Sequence, residues 1–152
     1  MRIRDAVATD APEISTFLKE LTAAGKRKSP DDVGFVLAHY IESTQKIKCS
    51  VAEDQGVVLG FQSLQHAAAD ATSGNGSGWA VIGTHIRPSA ARRGVGRALF
   101  AASQSAAESA DVTDIEATIA ADNPEALAYY DAMGFKTYKT TENQVCKRFS
   151  VP

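Results

Sequence analysis

Arg92-Arg93-Gly94-Val95-Gly96-Arg97 joins an apolar run, Trp79 to Ile86, to an alanine-rich stretch in which Leu99, Ala102, Ser103 and Ala106 recur at helical spacing. Pro88 ends the run, so the hexapeptide reads as the turn between a strand and a helix. Such a turn suits a phosphate. Glycines let backbone approach a ligand closely, and the first N–H groups of the helix, with its dipole, favour negative charge. Arginine adds forked cationic donors for phosphate oxygens. The same residues also serve as a tight connection with no ligand, and the flanking sequence has to choose between the two.

Upstream, Ile3 and Val7 suggest a first strand before Asp10-Ala11-Pro12-Glu13, which has the composition of a helix start with Asp10 as N-cap. Ile14, Phe17, Leu18 and Leu21 give that helix an apolar stripe, and Gly25 stops it. Ser29-Pro30-Asp31-Asp32 repeats the start signal for a second helix through Val33, Val36, Leu37, Tyr40 and Ile41. Residues 47–53 and 57–64 then alternate as strands about the turn Asp54-Gln55-Gly56, a hairpin. Residues 67–78 are small, polar and glycine-rich. They read as a mobile loop that either flanks a substrate site or passively connects two strands. Downstream, Ile115 to Ile119 is a strand, Asn123-Pro124-Glu125 opens a helix ending at Gly134, and Phe135 to Tyr138 and Val145 to Phe149 are terminal strands.

Composition narrows the function classes. A chain of 152 residues with 44% hydrophobic content is expected to form one domain, residues 1–152. A net charge of -2 argues against a general binder of nucleic acid or anionic membrane. No apolar run is long enough to span a bilayer, and Met1-Arg2-Ile3-Arg4-Asp5 lacks the core of a signal peptide, so a cytoplasmic location is expected. Cys49 and Cys146 stand far apart without metal-ligand spacing, which predicts two apolar strand residues, no disulfide and no metal. His39 and His66 read as packing or surface residues.

Strand, two helices, three strands, helix, strand, helix, two strands: this order resembles the GNAT superfamily of acyl-CoA-dependent N-acetyltransferases over nearly the whole chain. Ala91-Arg92-Arg93-Gly94-Val95-Gly96 is similar to the family's pyrophosphate loop, Q/R-x-x-G-x-G/A. Asn123, Ala126, Tyr130, Gly134 and Phe135 are similar to its second signature, N-x-x-A-x-x-x-Y-x-x-x-G-F. Ala91 stands where the family usually has Gln or Arg, a change that leaves the loop's backbone donors in place. The resemblance implies an α+β fold of three layers, α/β/α, around a mixed, mostly antiparallel sheet of six or seven strands with about four helices.

It also implies acetyl-CoA as acyl donor, no metal, and direct attack by a primary amine in a ternary complex. Backbone groups near Thr84, His85 and Ile86 would pair with the pantetheine arm. Arg92, Arg93, Gly94, Val95, Gly96 and Arg97 would hold the pyrophosphate, and Asn123 would contact the cofactor, cap its helix, or do both. Such chemistry needs a proton acceptor for the amine, an N–H for the oxyanion and an acid for the departing sulfur. Tyr130 is the candidate acid, with a core aromatic as its alternative; Tyr129, about 100° away on a helix, reads as packing or rim. For the base, Thr118 occupies a position where some relatives carry glutamate. Glu116, two residues earlier on the same strand face, is the first candidate, unless it is an exposed charge at the strand end. His85 is the second candidate if it faces the site and does not pack beneath a helix, and Glu53 is a distant third.

Acceptor identity lies beyond the signatures. Lys26-Arg27-Lys28 either attracts an acidic group or is a solvated charge run. The expectation is a small amine or amino acid. A protein lysine or N-terminus, or an acyl-CoA sensor without turnover, are the alternatives. The terminal strands offer an edge where a second copy could pair into a homodimer. Dinucleotide binding is a weaker reading still, because the turn comes late, after no early βαβ unit, and lacks the third-glycine spacing.

Overall fold

Alternating apolar residues in β2 (Lys46–Asp54) and β3 (Val57–His66) build the hairpin expected from the turn at Gln55-Gly56, whose φ angles of 52° and 79° close a tight two-residue loop. Around it, β1 (Arg2–Asp5), β4 (Trp79–Ile86), β5 (Asp114–Ala120), β6 (Lys136–Thr140) and β7 (Gln144–Ser150) complete one sheet. Its order is β1-β2-β3-β4-β5-β7-β6. The helices are α1 (Ala11–Ala23), α2 (Val33–Val36), α3 (Val95–Ser109) and α4 (Pro124–Ala132), in the order the sequence predicts. This computed structural model describes residues 1–67 and 78–152; the glycine-rich loop read at 67–78 falls, apart from its two end residues, outside the described residues.

The sheet is buried on both faces. On one, Phe61, Val51 and Cys49 pack with Ile14, Phe17 and Leu18 of α1 and Val36, Tyr40 and Ile41 of the α2 segment. On the other, Leu64, Ile82, Ile115, Ala117 and Ile119 meet Phe100 and Ala107 of α3, Tyr130 of α4, and Phe135. No helix among the described residues is long and apolar enough to cross a membrane.

Two local expectations change. Asp10 does not cap α1, because the helix is preceded by a 3-10 turn, Ala8–Asp10. The Asp10 carboxylate instead accepts the Val7 N–H at 2.8 Å and two N–H groups of Arg4 at 2.9 Å each. Glu13 likewise reaches across to the sheet, accepting from Val58 N at 2.9 Å and pairing with Arg87 at 2.9 Å. Both carboxylates therefore tie the helix entry to the strands. The second helix also differs: Asp32 caps it through Phe35 N at 3.1 Å as expected, but after one turn it widens into a π-helical turn, Leu37–Ile41.

One feature of the sheet positions the site. β4 and β5, its parallel pair, bond only over Trp79–Val81 and Asp114–Glu116. Beyond Val81 the strands part: β4 keeps β3 as partner to Ile86, and β5 keeps β7 to Ala120.

Candidate active site

The gap opened by that splay is lined by backbone of known direction. Arg87 N–H bonds Leu59 O at 2.8 Å and Trp79 O accepts Ala67 N–H at 3.0 Å, so odd-numbered residues of β4 turn their peptide groups toward β3. Period two then turns those of Thr84 and Ile86 into the gap. His85, expected to offer backbone to the pantetheine arm with its neighbours, spends its peptide groups on β3.

At the mouth of the gap lies the 92–97 turn. Gly94 is the N-cap of α3 with φ of 76°, a left-handed conformation that glycine adopts without a steric penalty, and among the described residues none beyond its chain neighbours lies within 4 Å of the place a β-carbon would occupy. Among the described residues no side chain caps α3, so its first N–H groups are left to a ligand or solvent. Gly96 has a different reason: a β-carbon there would meet Tyr129 Cε1 at 2.5 Å. A cavity of about 560 Å3 runs from Thr84, His85 and Ile86 past Arg92, Gly94, Val95, Gly96 and Arg97 to Asn123, Tyr129 and Tyr130. Arg93 is not among its lining residues and pairs instead with Asp54 at 3.2 Å.

Tyr130 sits in the wall of this cavity, with 5% of its surface exposed, and its hydroxyl lies 2.8 Å from Thr84 Oγ1. Burial pushes its phenol well above the usual range, so it stays protonated at neutral pH. Gln62, fully buried, donates from Nε2 to Thr84 Oγ1 at 2.9 Å and to Tyr129 OH at 3.0 Å, and Tyr129 OH donates to Gly96 O at 2.7 Å. Gln62 takes one lone pair of the Thr84 hydroxyl, and in the Thr84–Tyr130 pair either hydroxyl can donate. Sequence reading missed Gln62, although an amide inside the apolar run Val57–Leu64 is a signal: a buried amide needs partners. Asn123 Oδ1 accepts Ala126 N–H at 3.2 Å, the helix-capping role expected of it, and the residue also lines the cavity.

The base candidates fare differently. Glu116, 6% exposed, stands opposite Val81 on the last rung before the strands part, accepts a hydrogen bond from the Tyr138 hydroxyl, and is not among the lining residues. It is therefore neither an exposed end charge nor a member of the cavity wall. His85 does line the cavity, yet its ring stacks on Phe61 at 4.8 Å and its Nδ1 lies 3.4 Å from Arg27 Nη1. Arg27 can only donate, so Nδ1 accepts and the ring proton belongs on Nε2. Burial, then the Arg27 charge, push the imidazole down to about 3, which makes it a poor proton acceptor near neutrality. Glu53 is held by Arg2 and Arg4 at the β1 edge. Both cysteines are buried and unpaired, and burial pushes the Cys49 thiol up to about 12, away from a reactive thiolate.

Comparison with known proteins agrees with this architecture. No curated protein matches the chain. Among solved structures, a GCN5-related N-acetyltransferase from Kribbella flavida superimposes with a TM-score of 0.84 at 21% identity, covering 98% of this chain and 96% of that one. A GNAT superfamily phosphinothricin acetyltransferase from Sinorhizobium meliloti, solved in complex with AcCoA, gives 0.79 at 17% identity, with coverages of 99% and 88%. A ribosomal-protein-alanine N-acetyltransferase from Brucella melitensis gives 0.76 at 17%, with coverages of 99% and 99%. At these identities the likeness speaks for the fold. The family model of the acetyltransferase (GNAT) family matches residues 14–135, which include the splayed strands, the 92–97 turn and Tyr130, and the chain belongs to that family.

Proposed function

We propose that the protein transfers the acetyl group of acetyl-CoA to a primary amine of a small molecule or amino acid, by direct attack in a ternary complex. The carrying observation is the protonated Tyr130 phenol, held by Thr84 at the wall of a gap whose mouth is the uncapped N-terminus of α3.

The residues present fit such a donor. Thr84 and Ile86 offer strand backbone that no neighbouring strand uses to an extended amide-bearing arm, as an added strand would use it, and the Thr84 backbone also reaches Tyr130. Gly94, the first N–H groups of α3, Arg92 and Arg97 supply an anion site for a pyrophosphate. When bound, acetyl-CoA contributes an activated acyl group and a thiolate leaving group. Tyr130 donates a proton to that departing sulfur, and Thr84, itself held by Gln62, steadies the phenol. An amide N–H of β4 in the gap meets the developing oxyanion. With His85 neutral, the amine's proton passes to water. Neither cysteine is suited to an acyl-enzyme, which favours direct attack.

The deciding experiment measures thiol release from acetyl-CoA across a panel of amines, small and peptidic. Release with small amines supports this reading. Release only with peptides favours a protein acetyltransferase, and tight acetyl-CoA binding without release favours a sensor.

A further inference from the structure

Of the basic triplet 26–28, two residues behave as a solvated run and one does not. Lys26 and Lys28 are exposed, and Lys26 pairs with Glu125 at 3.0 Å. Arg27 is buried, with 8% of its surface exposed. Its guanidinium donates to Pro30 O at 2.7 Å, to Tyr40 OH at 3.1 Å and to His85 Nδ1 at 3.4 Å, and it lies about 6 Å from the ring centres of Phe35 and Tyr40. Every one of those partners is uncharged. Nε is buried without a partner, and among the described residues no carboxylate forms an ion pair with Arg27.

That is an unusual state for an arginine. Guanidinium cannot shed its proton, and a buried cation is ordinarily matched by an anion because desolvation of an unmatched charge is costly. Aromatic faces and neutral acceptors offset only part of that cost. The position is equally specific: Lys26, its neighbour in the chain, and His85, its neighbour in space, line the cavity, and Arg27 stands directly behind them. On one face of the gap the Gln62, Thr84, Tyr129 and Tyr130 network fills the space. His85 stands on the opposite face, packed on Phe61 and Tyr40, with the Arg27 guanidinium at its Nδ1.

We propose that Arg27 anchors a carboxylate of the acceptor, so that the substrate class is an amine that also carries a carboxylate, as an amino acid does. The assignment rests on the acyl-transfer reading above and adds to it the acceptor's charge. The carboxylate supplies the missing anion at the orphaned Nε, while the amine of the same molecule points past His85 into the gap.

The test compares matched substrates: an amino acid, its carboxamide and its decarboxylated amine, each assayed for thiol release from acetyl-CoA. Wild-type protein is expected to favour the carboxylate-bearing member by at least about tenfold in kcat/KM, mainly through KM, as loss of a charge-assisted hydrogen bond predicts. In Arg27→Gln that ratio is expected to fall toward one, with retained acetyl-CoA binding as the check that the cleft is intact; Arg27→Lys, which keeps the charge, serves if the glutamine variant does not fold. Independently of turnover, 3-phenylpropanoate, a carboxylate without an amine, is expected to raise the melting temperature of wild type and not of Arg27→Gln. Equal kcat/KM for acid and decarboxylated amine in wild type overturns the anchor while leaving acyl transfer standing. A carboxylate-dependent melting shift with no thiol release from any amine overturns acyl transfer and leaves the anchor standing.

Discussion

The Tyr129 ring packs so closely on Gly96 that a β-carbon at that glycine would lie 2.5 Å from Cε1, while the Tyr129 hydroxyl donates to the carbonyl of the same glycine at 2.7 Å. The second glycine of the 92–97 turn thus serves the contact between α3 and α4. In an isolated helix, alanine in place of glycine would stabilise by up to ~1 kcal/mol. Here the overlap falls on a ring whose hydroxyl is fixed by two hydrogen bonds, from Gln62 and to Gly96 O, and overpacking of that kind costs about 1–3 kcal/mol, so destabilisation wins. Gly96→Ala is therefore expected to lower the melting temperature by several degrees and to weaken acetyl-CoA binding, as differential scanning fluorimetry with and without acetyl-CoA will show.

Tyr130→Phe removes the phenol and keeps the ring that packs on Phe135 at 5.1 Å. If the phenol protonates the departing thiolate, kcat falls by about 10²–10⁴-fold while acetyl-CoA affinity and melting temperature change little. Thiol-release kinetics beside a calorimetric titration separate the two effects, and turnover that survives in a folded variant would remove Tyr130 from the chemistry.

The three arginines of the turn are not equivalent. Arg92 and Arg97 line the cavity, whereas Arg93 reaches Asp54 at 3.2 Å across the surface. Arg92→Ala and Arg97→Ala are each expected to raise the Kd for acetyl-CoA about five- to tenfold, the loss of one partly exposed charge-assisted contact, and to reduce its salt dependence. Arg93→Ala is expected to raise it less than about twofold, in line with an exposed surface pair. A larger effect at Arg93 than at Arg92 would contradict the placement.

His85 links the site to pH. Its folded proton affinity is depressed to about 3 from the ordinary 6.5, so between those values the unfolded chain binds a proton that the native chain refuses. Stability is expected to be complete above pH 6.5 as far as this group is concerned and to decline as pH falls below it. Urea midpoints at pH 7.5 and pH 5 measure the slope, which His85→Gln should flatten. In the same pH range kcat/KM is expected to rise with the free-amine fraction of the acceptor and to show no inflection from a histidine base.

Much of this was legible before folding. Apolar spacing in Ile14 to Leu21 and in Val57 to Leu64, the Asn123 cap, and the pairing of the 92–97 turn with Tyr130 are local patterns, written within one or two turns of chain. What escaped was long-range. Glu116 and Thr118 share a strand face by simple alternation, but nothing in alternation says that β4 and β5 part after Val81 and leave Glu116 facing Tyr138. Asp10 and Glu13 have the spacing of a helix start, and only the sheet beside them, through Arg4 and Val58, claims both carboxylates.

By itself, then, the chain's sequence determined the order of elements, the family and the glycine turn before α3, and named Tyr130 as a candidate acid, because each depends on backbone preference and side-chain period within a short segment. The tertiary structure alone decided which peptide groups of β4 face the gap, which arginine of the turn leaves it, that His85 is held neutral, and that Arg27, one of three adjacent basic residues, is buried without an anion. Those outcomes follow from register between strands and from which distant side chain arrives first at a charge, and neither is encoded in local spacing.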